Sequence, residues 1–138
     1  MPNTEIDIEY AGVEQKIRML VHEINLLGVK TFWSCEGHKC PSLTGKRFPA
    51  IGIMIKDLLL SPKAIFRLFE LVGYFNETMV RSFDPRWYFE PHHEYLMLRP
   101  EYSGEDVKEL QTQAKELAEL INKVRKREKV SQANIIAV

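Results

Sequence analysis

The 138-residue chain is predicted to fold as one α+β domain, in which three helices pack on a mainly antiparallel sheet of four to five strands. Three observations predict this class. Apolar residues recur at helical spacing in three segments, short β-branched or aromatic runs lie between those segments, and no linker, repeat or low-complexity stretch divides the chain. Chains of this length usually build a single core, so residues 1–138 are expected to form one domain.

The first half of the chain predicts one helix and two strands. Gly28 is the expected end of the helix, because glycine adopts the left-handed conformation that closes a helix. The β-branched and aromatic run from Val29 to Ser34 predicts a strand, and the run from Ala50 to Lys56, apolar on both faces, predicts a central strand. The helix itself is indicated by a stripe of apolar residues spaced by three and four, namely Val13, Ile17, Leu20, Val21, Ile24 and Leu27.

The middle of the chain predicts a helix followed by a hairpin. A Ser-Pro pair is typical of a helix start, and the next glycine is expected to end the helix, which places it over residues 61–73. Strands are predicted at residues 79–83, 87–90 and 95–99. The last two strands are expected to pair across a turn at residues 91–94.

The last predicted element is a helix of about twenty residues. Ser103 and Asp106 have the form of a capping box, and an apolar stripe runs from Val107 to Val124. An acidic start and a basic end suit the helix dipole. The short apolar tail, residues 131–138, is expected to add a strand or to dock on a partner.

The composition excludes several classes of protein. The 19 Lys and Arg balance the 19 Asp and Glu, which argues against a polybasic protein that binds nucleic acid by bulk attraction. Two cysteines in a chain that is 45% hydrophobic do not make a disulfide scaffold, so a cytoplasmic location is expected. The chain has neither the apolar region of a signal peptide near its start nor the roughly 18 apolar residues of a membrane span, so no membrane partner is expected.

Both cysteines fall in the long loop between the first two predicted strands, residues 35–49. Loops of about fifteen residues in compact domains are more often functional than merely connecting. His38 lies between Cys35 and Cys40, and Gly37 is expected to let the loop turn back on itself. Basic residues favour a thiolate at either cysteine. These basic residues are Lys39, Lys46 and Arg47.

Three interpretations of this loop stay open. In the first, Cys35, His38 and Cys40 bind a metal ion, for which zinc is the natural choice. The fourth ligand would then come from the predicted turn that carries His92 and His93. In the second, Cys35 is a catalytic nucleophile or redox thiol activated by a nearby histidine such as His38. In the third, Cys35 is a small buried apolar residue and its neighbours form a polar turn.

The residues at positions 31–38, Thr-Phe-Trp-Ser-Cys-Glu-Gly-His, resemble a Ser-Cys-x-Gly-His signature of small phage and bacterial proteins of unassigned function. More distantly, they are similar to the Ser-Ser-Cys-Ser-Gly-Arg motif of the tRNA wybutosine-synthesizing family. That family contains S-adenosylmethionine-dependent methyltransferases that act on tRNA. The resemblance implies an α/β fold with the motif at a ligand cleft, and it implies Ser34, Cys35 and Gly37 as site residues.

These observations lead to one main hypothesis of function and two alternatives. The main hypothesis is a small protein with one ligand or metal site, formed by the Cys35 loop and the turn at residues 91–94. The first alternative is an RNA-modifying or nucleotide-binding enzyme, with S-adenosylmethionine or a nucleotide in a cleft lined by Cys35 and by Lys39, Lys46 or Arg47. The second is a non-catalytic interaction module that forms a homodimer through the last helix. Whether the protein is an enzyme is not decided by the sequence.

Local contact with RNA is compatible with a neutral chain. Several aromatic residues near arginines offer a platform on which bases stack, although such rings also suit the core of a sheet. Glu90, close to the histidine pair, is expected either to orient an imidazole or to be a surface charge. The aromatic residues of this platform are Trp33, Trp87, Tyr88 and Phe89, and the arginines are Arg81, Arg86 and Arg99.

Overall fold

The structure is a computed structural model, and it describes residues 12–37, 48–81, 84–101 and 107–137. Within these ranges the chain forms a 3-10 turn at Gln15–Ile17, four helices and four strands. The helices are α1 (Arg18–Leu26), α2 (Ile55–Leu58), α3 (Pro62–Thr78) and α4 (Val107–Ala137), and the strands are β1 (Trp33–Cys35), β2 (Ala50–Met54), β3 (Trp87–Pro91) and β4 (Tyr95–Pro100). One antiparallel sheet with three long helices confirms the predicted α+β class.

The sheet has the strand order β1-β2-β4-β3, and every neighbouring pair is antiparallel. Gly52 of β2 lies opposite Trp33 of β1 and opposite Met97 of β4, and Met97 in turn lies opposite Glu90 of β3. Directly opposed residues share a face and successive residues alternate, so these positions define one face of the sheet. We call it the outer face, and its members are Trp33, Cys35, Ala50, Gly52, Met54, Tyr88, Glu90, Tyr95, Met97 and Arg99.

The other face of the sheet carries the main core. Ile51, Leu98 and Trp87 are at most 1% exposed there and pack against apolar side chains of the three long helices. Burying one such side chain stabilises the fold by roughly 1.5–3 kcal/mol. The apolar stripe of α4 is buried within the single chain as well. The surface through which a homodimer is expected to form is therefore already covered. Its buried members are Val107, Leu110, Ala114, Leu117 and Ile121, and Val124 at its end is partly buried.

A buried ionic contact joins α1 to α4. Glu23 is 3% exposed, and its carboxylate accepts a hydrogen bond from the Asn122 amide at 2.9 Å. Nε and Nη2 of Arg125 donate to the same carboxylate, each at 3.3 Å. Because a buried carboxylate without partners is costly, these donors fix the position of α1 along α4.

Helix α3 is longer than predicted, because Gly73 does not end it. A glycine inside a helix costs about 1 kcal/mol relative to alanine, whereas the fully buried Phe75 contributes more than that. Asn76, one residue further, attaches the end of α3 to β3. Its side-chain amide donates to the Trp87 carbonyl at 2.7 Å, and its side-chain oxygen accepts from the Trp87 N–H at 2.9 Å.

The hairpin of β3 and β4 is confirmed, and β2 is a central strand as predicted. β1 begins four residues later than predicted, and β2 ends two residues earlier, where the chain turns into α2. The strand predicted at residues 79–83 is wrong over residues 79–81, which follow the end of α3; residues 82 and 83 lie outside the described residues.

Helix α4 has 31 residues and continues to Ala137, so the strand predicted in the tail is wrong. The segment from Val107 to Ala137 contains no glycine or proline, and nothing in it stops the helix where the apolar stripe ends. The capping box predicted at residues 103 and 106 lies outside the described residues.

Candidate ligand-binding face

The outer face separates the two groups of predicted site residues. Cys35 lies opposite Ala50, at the start of β2. Met54, four residues further along β2, pairs with Tyr95 of β4. Tyr95 directly follows the turn that holds His92 and His93. At about 3.3 Å per residue, the two ends lie about 13 Å apart along the strands. Zinc ligands lie about 2.0–2.3 Å from the ion, so the predicted metal site that combines Cys35 with either histidine is wrong.

Cys35 is a buried thiol that contacts the turn after it. The residue is 8% exposed, and the Gly37 N–H donates to its Sγ at 3.4 Å. Gly37 has a φ of 89°, and a Cβ at this position would lie 3.0 Å from the backbone carbon of Phe48. Both the left-handed conformation and the close approach require glycine. The positive φ of Gly37 fits the predicted turn, while the loop residues that follow it lie outside the described residues.

The rest of the predicted Cys35 loop site lies outside the described residues. Among the residues that the structure does describe, no group of three or more His, Cys, Asp or Glu side chains is placed to hold a metal ion. The zinc and thiol hypotheses at Cys35 therefore stay predictions. The loop residues concerned are His38, Lys39, Cys40, Lys46 and Arg47.

Ser34 lies on the opposite face of the sheet from Cys35. It pairs with Ile51 and lines a cavity of about 550 Å³ beside α1. Asn25 and Thr31 line the same cavity and are hydrogen-bonded to each other. The Asn25 amide donates to the Thr31 hydroxyl at 3.1 Å, and the Asn25 side-chain oxygen accepts from the Thr31 N–H at 3.3 Å. The two residues that the family resemblance places in one cleft are not brought together.

Four rings lie near one another on the outer face, at the end near the histidine turn. The His92 ring stacks on the Tyr95 ring, with centroids 4.5 Å apart and planes 4° apart. The Phe32 ring meets Tyr95 edge to face at 5.4 Å. Phe32 and Trp33 lie over Gly52, where an added Cβ would be 2.8 Å from Phe32 Cε1 and 3.4 Å from Trp33 Cε3. We call Phe32, Trp33, Tyr95 and His92 the ring row.

Glu90 fixes one end of the ring row. Its carboxylate accepts hydrogen bonds from His92 Nε2 at 2.7 Å, from the Tyr88 hydroxyl at 2.9 Å and from Arg99 Nη1 at 3.3 Å. The Tyr88 hydrogen bond first, and then the His92 bond and the Arg99 charge, lower the pKa of Glu90 against the opposing effect of partial burial. Burial, helped by the hydrogen bond to Glu90, raises the pKa of Tyr88. An ionised Glu90 therefore orients the imidazole, as one of the two sequence interpretations expects.

Arg99 connects this network to the Cys35 end of the outer face. Its Cζ lies 3.7 Å from the centroid of the Phe48 ring, and its Nε donates to the Pro100 carbonyl at 2.9 Å. The side chain is only 16% exposed. Arg99 therefore supports the sheet more than it offers an unpaired positive charge.

The structure divides the four rings of the possible stacking platform between the two faces of the sheet. Trp87 and Phe89 lie on the face covered by the helices, while Tyr88 and Trp33 lie on the outer face. Tyr95 is not among the residues predicted for this platform. Alternation along the predicted hairpin nevertheless places it two residues from Met97 and therefore on the same face. The rings are accessible, since Phe32 is 50% exposed and the others are half-buried.

Chemically, this arrangement offers flat apolar surfaces beside an oriented imidazole. The structure does not bring Cys35 and His92 together, because the two residues lie at opposite ends of the face. Comparison of the chain with family models, curated proteins and solved structures finds no match. None of the described helices is both long and apolar enough to cross a membrane.

Proposed function

We propose that this chain is a ligand-binding protein that holds a planar ring, of the nucleobase kind, on the outer face of its sheet. The observation that carries the proposal is the ring row, in which flat side chains lie stacked or edge to face above a glycine. Exposed aromatic side chains on a sheet are a common surface for unstacked bases, and each stacked base contributes roughly 1–3 kcal/mol.

The charges favour a small ligand over a long nucleic acid. The chain has zero formal net charge, and Arg99 near the ring row is paired with Glu90. Binding a phosphate backbone requires unpaired cations, so stacking is the interaction that supports the proposal. We expect nucleosides, S-adenosylmethionine or a few nucleotides of single-stranded RNA as ligands. This is also the class of ligand that the family resemblance implies.

Calorimetric titration tests the proposal with three probes: adenosine, S-adenosylmethionine and a six-nucleotide single-stranded RNA. Tyr95→Ala removes the central ring, and we expect it to weaken binding about 5- to 100-fold. Gly52→Ala moves the Phe32 ring, because the new Cβ would lie 2.8 Å from it. Since Phe32 is 50% exposed, its ring can move at little cost in stability, and the loss of binding is expected without unfolding.

Tyr74→Ala is the matched control, because Tyr74 is a 54% exposed ring on α3 that lies outside the ring row. It is expected to bind the probes as the unchanged protein does. The proposal fails if none of the three probes binds saturably, or if Tyr74→Ala weakens binding as much as Tyr95→Ala.

A second candidate function is the zinc or thiol site at Cys35. The Gly37 N–H that donates to Cys35 Sγ supports it, because such a donor stabilises the thiolate that binds metals and attacks electrophiles. Because the turn with His92 and His93 lies at the other end of the sheet, the proposed site consists of Cys35, His38 and Cys40 alone. Metal analysis of the purified protein is expected to find one zinc per chain, which Cys40→Ser removes and His93→Gln retains. Absence of zinc from the unchanged protein contradicts the metal version.

The location and assembly of the chain stay proposals. A cytoplasmic location rests on the two cysteines and their reducing compartment. Sedimentation at two concentrations tests the homodimer, and the internal burial of the α4 stripe favours a single chain.

A further inference from the structure

The imidazole of His92 is part of the ring row and also has a free hydrogen-bonding edge. Its plane lies 4° from that of the Tyr95 ring, with the centroids 4.5 Å apart. The side chain is 33% exposed, and its Nε2 lies 2.7 Å from Glu90 Oε1. Within the part of the chain that the structure describes, Nδ1 has no hydrogen-bond partner. One nitrogen of this imidazole is therefore used inside the protein, and the other is available to a ligand.

Glu90 determines which nitrogen of His92 carries the proton. The Tyr88 hydroxyl and Arg99 Nη1 donate to Glu90 Oε2, at 2.9 and 3.3 Å, and both contacts lower the pKa of this carboxyl, which is therefore ionised. An ionised carboxylate accepts hydrogen bonds and has none to donate, so Nε2 carries the proton of the neutral imidazole. Nδ1 is then the acceptor, and its lone pair lies in the ring plane, on the side away from the Nε2–H.

This acceptor and the stacking surface suit the same ligand ring. A hydrogen bond to an imidazole nitrogen is best aligned when the donor lies in the imidazole plane. A ring bound in that plane is parallel to the Tyr95 ring, because the planes of His92 and Tyr95 differ by only 4°. Offset parallel rings are a favourable aromatic arrangement. His92 therefore sets the tilt of a bound ring and the hydrogen bond that its edge must supply.

We propose that His92 selects, through Nδ1, a nucleobase that presents an N–H donor at its edge, such as the amino group of adenine. This inference rests on the proposed function, because the base must bind at the ring row. A base without such a donor leaves Nδ1 unpaired in the complex, which lowers the affinity. The ligand class is therefore narrower than planar rings in general and consists of bases with an amino or ring N–H group.

Adenosine and purine riboside test this inference, because purine riboside has hydrogen in place of the exocyclic amino group. In calorimetric titrations, the unchanged protein is expected to bind adenosine about 3- to 10-fold more tightly, the usual effect of one hydrogen bond. His92→Phe keeps a flat ring beside Tyr95 and removes the acceptor. This variant is expected to bind the two nucleosides with equal affinity.

Glu90→Gln is a second variant, in which the His92 ring is retained. Arg99 only donates hydrogen bonds, so the glutamine oxygen is expected beside Arg99 Nη1 and the glutamine NH₂ beside His92 Nε2. Because that NH₂ donates, Nε2 becomes the acceptor and Nδ1 carries the proton. The preference for adenosine is therefore expected to disappear. A purely structural role of Glu90 would weaken both nucleosides equally and leave the preference intact, which would contradict the inference.

His93→Phe is the matched control, because it makes the same substitution at an exposed histidine outside the ring row. It is expected to keep the preference for adenosine. The inference is overturned if both nucleosides bind the unchanged protein equally well, or if His92→Phe keeps the preference; the ring row then still binds planar rings, and the proposed function stands. If neither nucleoside binds saturably, this inference fails as well, whereas the proposed function fails only when S-adenosylmethionine and the RNA do not bind either.

Discussion

Replacement of Asn76 by alanine tests how the end of α3 supports the sheet. The Asn76 side chain is the hydrogen-bond partner of both the N–H and the carbonyl of Trp87, at 2.9 and 2.7 Å. Trp87 is 1% exposed and belongs to an edge strand, so no further strand pairs with these two groups in the described sheet. Asn76→Ala therefore leaves a buried donor and a buried acceptor without a partner.

The expected loss can be estimated from these contacts. A buried polar group that loses its partner costs about 1–3 kcal/mol. Water reaches the half-buried Asn76 position in part, and alanine is a better helix former by roughly 0.5 kcal/mol. We therefore expect the free energy of unfolding to fall by about 2–3 kcal/mol, a large share of the stability of a typical domain.

Urea denaturation followed by far-ultraviolet circular dichroism measures this change. Thr78→Ala is the control, because the exposed Thr78 hydroxyl donates only to the Tyr74 carbonyl of the same helix. The control is expected to stay within about 0.5 kcal/mol of the unchanged protein. A loss below about 1 kcal/mol for Asn76→Ala, with an unchanged denaturant slope, would refute the role assigned to this side chain.

Glu90, Gly37 and Glu23 each make a contact whose loss is expected to change stability measurably. Glu90→Gln is expected to be less stable than the unchanged protein at pH 7. The difference in stability should shrink as the pH falls through the lowered pKa of Glu90, because the folded carboxylate is then protonated. A difference that stays constant from pH 7 to pH 3 would contradict this. Gly37→Ala is expected to lose about 1–3 kcal/mol, since its φ is 89° and its Cβ would crowd Phe48; an unchanged urea midpoint would exclude such strain. Glu23→Ala is expected to lower the free energy of unfolding by about 1–3 kcal/mol. In a double-mutant cycle, its coupling to Arg125→Ala is expected to exceed about 0.5 kcal/mol. Purely additive losses would count against the buried contact.

The parts of the fold that the sequence predicts are those with a local signal. The stripes of α1 and α4 and the alternation of the β3–β4 hairpin are periodic, so they identify both the element and its buried side. The end of α3 has no such signal, because the cost of Gly73 is outweighed by the burial of Phe75 in a core made by distant parts of the chain. Local propensity gives way to tertiary packing at that point.

The candidate site shows the same division more sharply. The crowding of Cys35 with a histidine and a second cysteine is visible in the sequence, but its distance from His92 depends on strand order and register. Pairing of β2 with β4 places the two groups on one face and at opposite ends of it. Tyr95 and Phe32 become neighbours only through this pairing, and the space for them depends on Gly52, whose role no local pattern reveals.

The contact between Glu23 and α4 also has a consequence for how the protein is made. Glu23 meets Asn122 and Arg125, which follow it by 99 and 102 residues. A ribosome that adds about 5–20 residues per second needs roughly 5–20 s to synthesise that stretch. During this interval the apolar side of α1, which includes Leu20 and Ile24, lacks its α4 partner. The apolar side of α1 is therefore expected to depend on chaperone protection until residues 107–125 have left the ribosome.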